Sequence, residues 1–187
     1  MRDMLIERFR LAPHPEGGYY SETFRSADIV RRDGLPDEPR SASTAIYYML
    51  CDGAYSAWHR IKSDEVWHFY AGDPIDIHVI ESNGDLVTHR LGNALAHPEA
   101  EFQAVVLAGQ WFAAELRDPS TFALVGCTVA PGFEFSEFEL GDVRELAAKC
   151  RQHGDLIERL RPRVASTELL RLDGKRATHD VASRGRT

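Results

Sequence analysis

The chain has 187 residues, 43% hydrophobic, 27% charged and 10% aromatic, which predicts a single globular domain and excludes a fibre, a mostly disordered chain and a disulfide miniprotein. Acidic residues outnumber basic ones by 29 to 22, a formal charge of -7 that argues against a nucleic acid or an anionic membrane as partner. The balance is uneven: residues 1–142 carry 11 basic and 23 acidic side chains, whereas 143–187 carry 11 and 6.

At the amino terminus, charges recur every two or three residues over Met1 to Arg10, so no secretory leader is expected there. The longest apolar run, Ala45 to Cys51, is seven residues, against about 20 needed to span a bilayer. Three widely spaced cysteines without a Cys-x-x-Cys pair fit reduced thiols, and a soluble, cytoplasmic protein is expected.

Residues 3–10 suit a short helix, ended by Pro13 and Pro15 before Glu16-Gly17-Gly18. Aromatic and β-branched segments then predict ten strands: 19–26, 43–51, 55–60, 65–70, 75–80, 86–91, 102–107, 111–116, 121–130 and 133–140. Turn signals such as Asp52-Gly53, Gly72-Asp73-Pro74, Asn83-Gly84 and Pro131-Gly132 separate them. Short strands at this spacing without intervening helices indicate an all-β sandwich or barrel, of which a jelly roll is one form. Asp142-Val143-Arg144-Glu145 reads as a capping box opening a helix through about Gln152, and a second helix is expected over 155–160, before Pro162. The domain reading is a barrel over 1–145, a helical extension over 146–171 and a polar, basic, disordered tail over 172–187.

The stretch from Gly53 through His59, Ile61, Glu65 and Gly72 resembles the first cupin motif, G-x5-H-x-H-x3-E-x6-G, with Ile61 at the place of the second histidine. Leu107-Ala108-Gly109-Gln110-Trp111-Phe112 keeps the glycine of the second motif and has Phe112 at its histidine position. With Pro15-Glu16-Gly17-Gly18-Tyr19, Ser63-Asp64-Glu65-Val66-Trp67-His68 and Gly126-Cys127-Thr128-Val129-Ala130-Pro131-Gly132-Phe133, the chain resembles the cupin subfamily DUF985 (Cupin 5). The resemblance implies a double-stranded β-helix, a jelly-roll barrel with a short N-terminal helix and C-terminal helical extension. It also implies a homodimer and membership of a group described as sugar epimerases.

Metal-binding cupins hold a divalent ion with three histidines and a glutamate; the matched positions here leave His59 and Glu65, with His68 as the nearest recruit. Side chains alternate along a strand, so His68 is expected on the face opposite Glu65, with Trp67 and Phe69 on its side. No cofactor is therefore expected, a divalent metal on His59 and Glu65 being the alternative. The favoured reading is a metal-free pocket for a sugar or nucleotide-like small molecule, acting as an epimerase or isomerase with His59 as acid–base beside Glu65. Glu16, Tyr48, Trp67, Phe69, Trp111 and Phe112 are expected to bind the ligand, and Tyr47 or Tyr48 could supply an acid. A metal-dependent cupin enzyme and a non-catalytic binding module are the competing classes. Along the first strand, alternation puts Tyr19, Ser21, Thr23 and Arg25 on one face and Tyr20, Glu22, Phe24 and Ser26 on the other.

Overall fold

Glycine, proline and aspartate turns cut the chain into pieces too short to be anything but sheet, and their alternating apolar residues give each piece one face to bury. The computed structural model describes residues 1–31 and 39–163. The helices are α1 (Arg2–Phe9), α2 (Val143–Lys149) and α3 (Gly154–Arg159). The strands are β1 (Ala12–Pro13), β2 (Tyr19–Arg25), β3 (Ile29–Val30), β4 (Arg40–Ser41), β5 (Thr44–Cys51), β6 (Tyr55–Arg60) and β7 (Asp64–Gly72). They continue with β8 (Ile75–Ile80), β9 (Leu86–Leu91), β10 (Gln103–Val106), β11 (Trp111–Leu116), β12 (Phe122–Ala130) and β13 (Glu139–Leu140).

A six-stranded sheet runs β1-β2-β5-β12-β7-β10, a five-stranded sheet runs β13-β6-β11-β8-β9, and β3 with β4 forms a separate ribbon. The inner faces of the two large sheets meet in a core that includes Tyr48, Trp67, Ile77, Leu91, Phe112 and Val125, which makes the molecule a β-sandwich curled into a barrel. Alternation sends the neighbouring residues outward. Trp58 and Ala113 pack under α2 and α3 against Leu146, Ile157 and Leu160. Met49, Cys51 and Leu124 pack under α1 against Leu5, Ile6 and Phe9. Among the described residues no helix is long and apolar enough to cross a membrane.

One expected strand is not formed. Over residues 133–140 only Glu139–Leu140 pairs, with β6, and Phe135–Glu137 is a single 3-10 turn. The alternating aromatics imitate a strand, but the backbone is drawn elsewhere: Gly132 N–H donates to Ser41 O at 2.7 Å and Phe133 N–H to Thr44 Oγ1 at 2.9 Å. The Asp142 carboxylate does cap α2, accepting from Arg144 N–H at 2.8 Å and Glu145 N–H at 3.1 Å. Residues 164–187, which hold the end of the expected extension and the whole expected tail, lie outside the described residues.

Candidate functional site

The site is built from a tight turn, two bulged strands and an aromatic loop at one end of the barrel. The turn comes first. His14 N–H donates to Gly18 O and Gly17 N–H to His14 O, both at 3.0 Å, closing the chain between β1 and β2. Gly17 adopts φ +119°, and a Cβ there would lie 2.0 Å from Tyr55 O, so only glycine permits this approach. The Glu16 carbonyl accepts from Ala57 N–H at 2.9 Å, and its side chain enters the barrel, 7% exposed.

On β6 the pairing with β11 shifts by one residue between the Phe112–His59 and Ala114–Ser56 pairs. Regular alternation would put Ser56 and His59 on opposite faces; the bulge puts both toward Glu16. Ser56 Oγ donates to Glu16 Oε1 at 3.0 Å, and His59 Nε2 lies 3.0 Å from Glu16 Oε2. The other ring nitrogen of His59 faces Ala57 O at 2.7 Å. Both nitrogens thus meet acceptors, which fixes His59 as an imidazolium. His14 also faces Glu16: its Nδ1 lies 3.3 Å from the Glu16 backbone N and 3.7 Å from Glu16 Oε2.

Electrostatics divides the buried carboxyls. Burial alone would raise the Glu16 pKa, but the charges of His59 and His14 and the hydrogen bonds from His59 and Ser56 outweigh it and hold it at about 2. Burial opposes the charged form of His59, yet Glu16's charge and hydrogen bond, helped by Glu65, keep its pKa above the ordinary value. Glu65, 7% exposed, forms no ion pair among the described residues; burial first, then Glu16's charge, push it up to about 7. The Cys127 thiol beside Glu65 is driven well above its usual range by burial and by those two carboxylates, so it stays a neutral thiol.

These groups line a cavity of about 140 Å3. Ile46, Ile61 and Val129 give it apolar sides, and Phe133, Phe135 and Phe138 form its outer wall with Tyr20. The aromatic loop is held down by two arginines. Arg40 pairs with Glu137 at 2.8 Å in a buried contact. Arg25 reaches Glu134 at 2.6 Å, Phe133 O at 3.2 Å and both carboxylate oxygens of Glu22 at 2.9 and 2.8 Å. Arg25 was expected on the face opposite Glu22. A bulge at Thr23, between the Glu22–Ile46 and Phe24–Ala45 pairs, turns it to the same side.

Of the residues expected at the site, the structure brings Glu16, His59 and Glu65 together on the cavity wall. Phe112 lies one layer below, fully buried, its ring centroid 4.0 Å from that of His59. Trp67 is deeper still, edge-on to Phe112 and Tyr48, and Phe69 packs against the same core. Tyr48 spends its hydroxyl on Gly17 O at 2.7 Å, and burial then Glu16's charge raise its pKa well above normal, so it anchors the turn and does not supply an acid. Tyr47 faces outward against Phe9 and Tyr70. Trp111 also points outward, because Phe112 points in; Arg60 lies 4.5 Å from its ring centroid. His68 sits on the outer face, with Nε2 3.1 Å from Thr128 Oγ1 and Nδ1 3.0 Å from Gln103 Nε2, and does not join Glu65.

The residues present do not fit a three-histidine, one-glutamate metal centre. Ile61 and Phe112 occupy two of the ligand positions without a donor atom, His68 is on the wrong face, and both nitrogens of His59 are engaged by Ala57 and Glu16. Among the described residues no three histidine, cysteine, aspartate or glutamate side chains are placed to share an ion.

Sequence reasoning passed over His14, Tyr20, Arg25 and the three loop phenylalanines. The signal available for the last was their crowding after Pro131-Gly132, which strand periodicity disguised.

The chain belongs to the Cupin superfamily family Cupin_5 (DUF985), whose model matches residues 3–141. It is 31% identical to a hypothetical protein from Leishmania major, over 86% of this chain and 98% of that one, with a TM-score of 0.77. A protein from Shewanella oneidensis is 35% identical over 85% of this chain and 96% of that one, with a TM-score of 0.74. Oxalate decarboxylase from Bacillus subtilis shares 14% identity over 84% of this chain and 38% of that one at a TM-score of 0.50, a likeness of fold alone. No curated protein matches. The barrel is thus a cupin double-stranded β-helix.

Proposed function

We propose that the cavity takes one small polar molecule and moves a proton on it without a metal, as in the epimerisation or isomerisation of a hydroxy-carbonyl compound such as a keto-sugar. The observation that carries this reading is Glu65, a buried carboxyl on the cavity wall whose pKa of about 7 lets it both give and take a proton near neutrality. The carboxylate that orients His59 is Glu16, so Glu65 is left free to exchange protons, the reverse of the division of labour expected from sequence. His59, held charged by Glu16, supplies fixed positive charge toward an enolate forming on the ligand. Phe112 below and Phe138 above, the latter 5.1 Å away, keep its ring dry.

Size narrows the ligand. A cavity of about 150 Å3 holds one benzene molecule, so this cavity of about 140 Å3 suits a single six-membered ring and leaves any nucleotide portion outside. The test is exchange in D2O. Incubated with a panel of monosaccharide ketoses and aldoses that includes amino sugars, the protein is expected to place deuterium beside the carbonyl of at least one, read by proton NMR. Glu65→Gln is expected to slow that exchange about 10²–10⁴-fold. No exchange with any member of the panel, or full exchange by Glu65→Gln, overturns the reading.

A further inference from the structure

The cavity's charges are unequally matched from bottom to top. Glu16 is paired with His59 at the base. At the mouth one arginine, Arg25, serves two carboxylates, Glu22 and Glu134, so this group keeps one excess negative charge. Glu65 forms no ion pair among the described residues, as noted above. The mouth is therefore negative, although the cavity's surface is largely apolar.

The outer wall has the second half of a recognition device. Phe133, Phe135 and Phe138 line the cavity as mutually inclined rings: Phe133 and Phe135 lie 5.0 Å apart at 82°, Phe135 and Phe138 6.3 Å apart at 68°. Tyr20 adds a fourth ring on the β2 side. Aromatic faces carry negative charge, and several around one point attract a cation that has shed its water. One cation already uses this wall, since the imidazolium of His59 stacks on Phe138 at 27°.

From this pairing of an under-neutralised carboxylate mouth with an aromatic cup, we propose that the ligand is a small organic cation. Its ammonium group would sit among Phe133, Phe135, Phe138 and Tyr20 below the Glu22–Arg25–Glu134 bridge, and its reacting end would reach Glu65. Among sugars this selects an amino sugar over a neutral or acidic one. An anionic ligand would meet unpaired carboxylate charge at both ends, and a neutral one would forgo the aromatic contribution. The inference rests on the cavity being the ligand site, as proposed above, and adds the charge class of what enters.

Three six-membered rings that differ only in charge test it: cyclohexylammonium, cyclohexanol and cyclohexanecarboxylate, titrated into the full-length protein at pH 7 and followed by calorimetry and ligand-detected NMR. The cation is expected to bind about tenfold more tightly than the alcohol, and the carboxylate more weakly than either. Phe135→Leu, a half-buried loop position where bulk is kept and the ring lost, is expected to remove most of the cation's advantage over the alcohol. Equal affinities, a preference for the carboxylate, or no binding of the cation at millimolar concentration overturns the proposal. The wild-type series alone decides it if the variant fails to fold. The D2O experiment is independent: amine selectivity without proton exchange leaves the charge class standing and removes the catalysis, and the converse result does the opposite.

Discussion

The two ends of the space between the sheets share the same strands and differ in what they hold. Toward one end Ile75, Ile77, Leu91 and Leu116 close on one another as an ordinary apolar core. Toward the other, the same faces present Glu16, His59 and Glu65 around a cavity. In the five-stranded sheet the apolar end follows strict alternation: β8 pairs with β9 and with β11 residue for residue, without a shift. The polar end departs from it on β2 and on β6, where the shifts turn Arg25 to the cavity mouth and His59 to its base. The site in this barrel draws on two of the register breaks, those of β2 and β6.

Phe112 is the boundary between the two ends, with His59 on one side and Trp67 on the other, and its loss gives the largest effect. Phe112→Ala is expected to cost about 3–5 kcal/mol by chemical denaturation, because the surrounding strands cannot collapse into the space. A cost under about 1 kcal/mol would mean that the lower end is not a packed core.

Next comes the ion pair. Glu16 has a folded pKa of about 2 against an ordinary value of 4.5. A depressed carboxylate contributes stability that is present above the unfolded pKa and is lost as pH falls from about 4.5 toward 2. The shift corresponds to on the order of 3 kcal/mol. Glu16→Gln is expected to cost about that much at pH 6 and to flatten the acid limb of the stability profile below pH 4.5.

Glu65 has the opposite sign. Its folded pKa, raised to about 7, means that stability is complete below pH 4.5 and declines as pH rises to 7, where the buried carboxyl ionises. Glu65→Gln is therefore expected to stabilise the protein at pH 8, by about 1–3 kcal/mol, while slowing proton exchange on the ligand about 10²–10⁴-fold. A thermal melt at pH 5 and at pH 8 separates the cases: the variant should gain at the higher pH and change little at the lower.

How much of this was legible in the sequence follows the same division. The strands, the caps and the buried faces came from period-two patterning and turn residues, because local propensity and the tertiary environment agree there. The opposite placement of Glu65 and His68 is of this kind, since β7 is regular from Glu65 to His68 in its pairing with β12. Glu16 was marked by its two glycines, and His59 and Glu65 by their motif spacing. The partnership of His59 with Glu16 was not legible, because it depends on one extra residue in β6 that no local pattern announces. Arg25 was assigned to the wrong face for the same reason. The aromatic loop misled because three inward phenylalanines at near-alternate positions look like a strand, although the backbone is held by Ser41 and Thr44 instead.

The smallest expected effect on stability falls at the mouth. Arg25 is partly exposed and its ion pairs with Glu22 and Glu134 join two surface segments, so Arg25→Gln is expected to change stability by no more than about 1 kcal/mol. Its effect on the cavity should be larger than its effect on the fold. Removing that guanidinium leaves Glu22 and Glu134 unneutralised and frees the loop from Phe133 O, so the variant should bind cyclohexylammonium at least as tightly as the wild type and release it faster. Stopped-flow dissociation measures the second quantity directly. Weaker cation binding in Arg25→Gln would mean that the bridge acts by shaping the aromatic cup, and that the excess charge at the mouth is not what the cation feels.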